Sequence, residues 1–306
     1  MSLAIDQDRL QSEIDELALI SDAEPPAVTR IVFSRKDLEG RAWLNKKCTE
    51  AGLTIRQDAI GNTFFRWAGA DSNAAAVATG SHIDAIPNAG KYDGVVGVLG
   101  GLEAIRALQR SGFQPNRSIE LILFTSEEPT RFGIGCLGSR VLSGTLPPEA
   151  ARQLKDSLGQ TLAETLQSVG MLGDLDSVRI PAGHYRAFVE LHIEQGPLLE
   201  QAKIPLGVVA SIAAPASLEV RIEGAGGHAG GMLMPGRKDA LCAASEIILT
   251  AEQAAQTSGS ADTVATVGIC EVFPGAVNSI PSRVRLTLDL RDTELTRRDK
   301  VFQSIR

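Results

Sequence analysis

Three short, mostly apolar runs, each leading into residues able to do chemistry, constrain this chain most. They are residues 75–80 (AAVATG), 118–125 (SIELILFT) and 187–193 (AFVELHI). A run without polar alternation marks a strand covered on both faces. Between the first two, residues 95–110 (VVGVLGGLEAIRALQR) carry helical spacing. Residues 3–20 and 36–51 do the same upstream, with Leu10, Ile14 and Leu17 sharing one face of the first. This β-α-β order predicts an α/β fold with a mostly parallel sheet wrapped by helices.

Near residue 211 the pattern changes. Residues 217–223 and 283–290 alternate, 236–255 form a long helical pattern, 263–272 read as a strand, and 295–306 begin a helix. Alternation predicts a sheet with one covered and one solvated face, so a second, α+β domain is expected over 211–306 after a first over 1–210. The 306 residues are 43% hydrophobic and 22% charged, enough apolar material for full cores and too much for disorder. The net charge is −7, without a basic cluster, which argues against nucleic acid as a partner. No run approaches the roughly 18 apolar residues that cross a bilayer, and the acidic start resembles no export signal. Four scattered cysteines, Cys48, Cys136, Cys242 and Cys270, read as buried thiols in a reducing cytoplasm.

In open α/β sheets the ligand crevice lies beyond the carboxyl ends of the strands. Ser81-His82-Ile83-Asp84 follows the first run and Ser126-Glu127-Glu128 the second, while His192, Glu194 and Gln195 lie in and after the third. His82, Glu127, Glu128 and His192 are thereby expected in one neighbourhood. Asp93, in the Gly-rich loop AGKYDG, joins them or else caps the helix that follows. Such a set of imidazoles and carboxylates suits zinc, manganese or cobalt. Adjacent carboxylates allow a division of labour in which one ligates an ion and its neighbour takes a proton from water.

Five segments then carry a family resemblance: GSHIDAIPNAGKYDG (80–94), FTSEEPTRFGIGCLGSR (124–140), LHIEQGPLLE (191–200), GAGGHAGGMLMP (224–235) and GAVNSIPSRVRLTLDLRD (275–292). Together they resemble the di-metal amidohydrolases related to aminoacylases and carboxypeptidases, in the branch that cleaves N-carbamoyl and ureido compounds. The resemblance spans essentially the whole chain. It implies a zinc-exopeptidase-like catalytic domain with an inserted satellite domain for dimerisation. It also implies two divalent ions, Mn2+ or Zn2+, in a cytoplasmic homodimer that neither membrane nor nucleic acid engages.

By that resemblance His82, Asp93 and His192 hold one metal, and Asp93 bridges to a second that Glu128 also binds. Glu127 is the general base, and His228 stabilises the oxyanion across a dimer interface. Gln195, Asn278 and Arg291 bind substrate. Asn278 can instead be a turn residue, and Arg291 can pair with Asp289 or Asp292. The implied reaction is hydrolysis of a ureido C–N bond in a small carboxylate such as ureidoglycolate or allantoate, with release of ammonia, as in purine catabolism. The rival substrate is an N-carbamoyl-L-amino acid. A dipeptidase reading is opposed by Arg131-Phe132. The family takes the last ligand of its second metal, a His, from a segment beyond the second domain. No His follows His228 here, so the expectation is a truncated chain: the catalytic domain without its C-terminal part, an incomplete satellite, and a second site one ligand short. A homologue that only dimerises or binds ligand is the alternative of another class.

Overall fold

The computed structural model describes residues 3–306, which fall into two compact units that meet in sequence at Pro197 and Leu198. The first runs α1 (Gln7–Ala18), β1 (Val28–Arg30), α2 (Arg35–Glu50), β2 (Thr54–Gln57), β3 (Thr63–Trp67), β4 (Ala76–Ser81), β5 (Ala85–Ala89), α3 (Val95–Arg110), β6 (Ile119–Leu123), α4 (Leu137–Ser143), α5 (Pro148–Arg152), α6 (Leu162–Ser168) and β7 (Tyr185–Val189). Its main sheet has the order β2-β3-β6-β4-β7. The three runs become β4, β6 and β7, parallel to one another as expected. β7, at the edge of the sheet, is largely exposed, which corrects the expectation that all three are covered on both faces. The hairpin β2–β3 adds two antiparallel pairings, so the sheet as a whole is mixed.

Successive side chains of a strand point to opposite faces, and here each face meets its own core. Phe64 and Ile122 join Val32, Ile60, Leu137 and Leu142 on one side. Phe65 and Leu121 join Leu17, Leu44, Leu99 and Leu102 on the other. Fully burying each such side chain contributes roughly 1.5–3 kcal/mol, which is why these strands carry no polar alternation. Helix α3 lies against β4 at close range: a Cβ on Gly97 would fall 2.6 Å from that of Ser81. That approach brings the start of α3 to the end of β4, where the candidate residues lie.

The second unit runs α7 (Leu198–Ala202), β8 (Ala214–Glu223), β9 (Gly227–His228), α8 (Ala240–Gln256), β10 (Val264–Phe273), β11 (Ser279–Ile280), β12 (Arg283–Asp292) and α9 (Leu295–Ile305). The expected domain boundary at 210 lies in the irregular stretch between α7 and β8. Strands β10, β12 and β8 form an antiparallel sheet. Ala240, Ala244, Val284 and Leu286 form its core with Val220 and Ile222. The alternate positions carry a ladder in which Arg285 bonds Glu219 on one neighbour and Glu271 on the other. Helix α8 starts four residues later than its apolar pattern because the Asp239 side chain caps it, accepting from the Leu241 amide at 2.9 Å. Of the four cysteines only Cys48 is buried; Cys136, Cys242 and Cys270 are exposed and all four thiols are free, which corrects the expectation of buried thiols. No helix among the described residues is long and apolar enough to cross a membrane.

Candidate active site

Because β4 lies between β6 and β7, the residue that leaves its end stands between what leaves the other two. His82 leaves β4 and is 3% exposed. Its Nδ1 sits 2.9 Å from the Asp84 carbonyl oxygen. A carbonyl can only accept, so the neutral ring carries its hydrogen on Nδ1 and offers the Nε2 lone pair. That Nε2 lies 3.7 Å from Glu127 Oε2. Burial opposes the charged ring, but Asp84 and Glu127 outweigh it and push His82 up to about 9.

His192, beyond β7, repeats the arrangement in the open. Its Nδ1 is 2.7 Å from the Ile193 carbonyl oxygen, and its Nε2 is 3.7 Å from Asp93 Oδ1. Asp93 does not cap α3, whose N-cap is Gly94 without a side-chain bond. Its carboxylate instead accepts from Gln195 Nε2 at 2.8 Å. Gly94 has φ +67°, and a Cβ there would fall 2.5 Å from His82 Nε2. Only glycine lets the Asp93 loop fold down onto the imidazole.

Glu128 is half-buried. Burial first, then the charges of Glu127, Asp84 and Asp93, push its carboxyl up to about 7, against the pull of His82. Asp84, 1% exposed, ties the two glutamates to the histidine: its Oδ1 accepts from the Glu127 amide at 3.2 Å and its Oδ2 from the Glu128 amide at 3.0 Å. Buried Arg30 donates to the Ile83 carbonyl at 2.7 Å, between His82 and Asp84, and so holds that turn from below. Neither Asp84 nor Arg30 was among the candidates read from sequence. The only available signal for Asp84 was its place two residues after His82.

Whether these residues fit a divalent ion can be judged from their chemistry. Both histidines turn Nε2 toward a carboxylate, at a distance too long for a hydrogen bond. For His192 and Asp93 it is close to the spacing of two ligands that each stand roughly 2.0–2.2 Å from one ion. Glu128 also sits among more negative than positive neighbours, which a dication would relieve. The donor set therefore fits. Among the described residues no group of three such side chains converges tightly enough to define a site by itself. Each imidazole stands beside one carboxylate, His82 beside Glu127 and His192 beside Asp93.

In the second unit His228 and Asn278 are neighbours. His228 pairs with Ser279 across β9 and β11, and the Ala229 amide donates to the Asn278 carbonyl at 2.9 Å. His228 Nδ1 accepts from the Gly230 amide at 3.2 Å, leaving an N–H on Nε2 of the neutral ring. Arg291 is occupied by Asp289, at 2.7 and 3.2 Å. Asp292 is held by Arg297 instead.

Peptidase family M20/M25/M40 matches residues 78–287. A ureidoglycolate hydrolase of Oryza sativa subsp. japonica is 52% identical over 98% of this chain and 63% of its own length. One of Arabidopsis thaliana is 54% identical over 99% of this chain and 65% of its own length. The chain therefore spans slightly under two thirds of these relatives. A solved structure of AtUAH in complex with (S)-hydroxyglycine superposes with a TM-score of 0.91, at 53% identity, over 99% of this chain and 73% of that one.

Proposed function

Since the chain belongs to peptidase family M20/M25/M40, we propose that it serves a metal-dependent amidohydrolase that cleaves a ureido C–N bond in a small carboxylate, with ureidoglycolate as the substrate. The observation that carries this reading is the pairing of two unequal carboxylates at one strand end. Glu128 is half-buried among negative neighbours, and Glu127, also half-buried, stands beside His82 Nε2. The named activity of the two plant relatives supports the choice of substrate.

His82, Asp93, Glu128 and His192 would hold the ions, Mn2+ or Zn2+. A bound dication supplies Lewis acidity, which polarises the carbamoyl carbonyl and acidifies water. Glu127 takes the proton from the attacking water and returns it to the departing nitrogen. Ammonia leaves, and the carbamate that remains loses carbon dioxide. His228 would donate from Nε2 to the developing oxyanion across the dimer interface. Gln195, Asn278 and Arg291 orient the substrate, and Arg291 must leave Asp289 to grip a carboxylate. The reading includes a homodimer and a cytoplasmic location, the latter in keeping with exposed free thiols.

Ammonia release is the test, with Mn2+ present and ureidoglycolate, allantoate and an N-carbamoyl-L-amino acid run side by side. Fastest release from ureidoglycolate is expected. Preference for the N-carbamoyl compound would move the substrate within the same chemistry, and release from none would overturn the reading.

A further inference from the structure

The loop after β6 and the turn that starts α4 are laced together atom by atom. The amides of Cys136, Leu137 and Gly138 donate to the carbonyls of Glu127, Ser126 and Thr125 at 2.7, 2.9 and 2.8 Å. At the heart of this lacing the Cys136 thiol reaches Glu127 Oε1, with Sγ 3.2 Å from the oxygen. The other oxygen, Oε2, is the one that faces His82 Nε2. Glu127 is thereby gripped at its amide by Asp84, at its carbonyl by the Cys136 amide and at its carboxylate by the Cys136 thiol. Ser126 and Cys136 both adopt left-handed backbone, at φ 53° and 57°, although neither is glycine. Such conformations persist where the surroundings over-determine them, and here the over-determined element is the seat of one carboxylate.

We propose that Cys136 is a positioning residue for Glu127, its thiol holding Oε1 so that Oε2 alone is left to exchange protons. The proposal rests on the reading of Glu127 as the general base. A free carboxylate can rotate, and each orientation that points neither oxygen at the reacting proton is unproductive for its transfer. A thiol suits the task because it is a weak donor that bonds the carboxylate without competing for its proton. Cys136 is exposed and its replacement by serine or alanine removes no core volume, so both variants are expected to fold.

The test has two arms. In the first, the S–H stretching band of Cys136 is isolated by subtracting the infrared spectrum of Cys136→Ser from that of wild type, without metal. It is expected at lower frequency than the bands of exposed Cys242 and Cys270, and to return to theirs in Glu127→Ala. In the second, Cys136→Ala is expected to lower kcat by about 10- to 100-fold with little change in KM, and Cys136→Ser, which keeps a donor, to recover most of the loss. A band like those of the other exposed thiols would overturn the contact. Equal kcat in the alanine and serine variants would overturn the positioning role. No turnover in wild type with the band shifted would instead locate the failure in the proposed function, and the positioning role would fall with it.

Discussion

In the first unit the residues beneath the candidate site are locked away from water: His82 is 3% exposed, Asp84 1% and Arg30 1%. In the second, His228, Asn278 and Arg291 stand exposed on a two-residue ladder and at the end of a strand. The buried set is held by side chains that bond backbone, so a change in one displaces several others. In the exposed set the side-chain bonds are local, His228 Nδ1 accepting from the Gly230 amide and Arg291 donating to Asp289 two residues away, so meeting a ligand displaces little else. Metal ligation rewards the first arrangement, because ligands must be fixed before the ion arrives. Recognition of a small carboxylate tolerates the second.

Asp84→Ala should break this contrast most severely. The amides of Glu127 and Glu128 lose their acceptor, at a cost of about 2–5 kcal/mol for half-buried donors left unpaired, while the backbone carbonyl that His82 meets is kept. Urea unfolding measures it, and a loss below about 1 kcal/mol would show that the glutamates are held by something else. Gly94→Ala comes next. The left-handed backbone costs about 1–2 kcal/mol for an L-residue, and the new methyl meets His82 Nε2. Mn2+ affinity should therefore fall more than stability does.

A smaller effect, in the second unit, depends on pH. Arg297 grips Asp292 through two bonds and holds its carboxyl well below the usual carboxylate range. A depressed carboxyl adds stability above its unfolded pKa, about 3.9, and that stability is lost as pH falls toward the folded value. The gap in urea midpoint between wild type and Arg297→Met should thus be open at neutral pH and narrow below about pH 4. A gap independent of pH would assign the effect to packing. Smallest of all, Arg291→Ala should change stability by no more than about 0.5 kcal/mol, as for an exposed ion pair. A rise in KM without a stability change would mark the residue as a substrate contact.

Much of this contrast was legible in sequence, and the part that was not has physical reasons. β4 and β6 announced themselves because both faces of the sheet are covered, so their runs are apolar but for Glu120, which Arg66 and Tyr185 hold, and α3 by its helical spacing. β2 escaped because all four of its residues, Thr54–Gln57, are exposed and show no alternation. Helices α4, α5 and α6, of five to seven residues, are too short to display a 3.6-residue period. His82, Glu127, Glu128 and His192 could be grouped because strand ends converge in a parallel arrangement. Asp84 and Cys136 could not, because each acts through a contact more than forty residues away or across a lacing of backbone bonds that no local pattern encodes. The expectation of buried cysteines failed for a related reason, since residue type predicts burial only on average.

The central claim, that the strand ends of the first unit form a divalent-ion site with Glu127 outside the ligand set, is tested most directly by calorimetric titration of Mn2+. Wild type is compared with His82→Ala and Glu127→Gln. Saturable binding is predicted in wild type, abolished by His82→Ala and largely kept by Glu127→Gln. No saturable binding in wild type, or binding that survives the loss of His82, would contradict it.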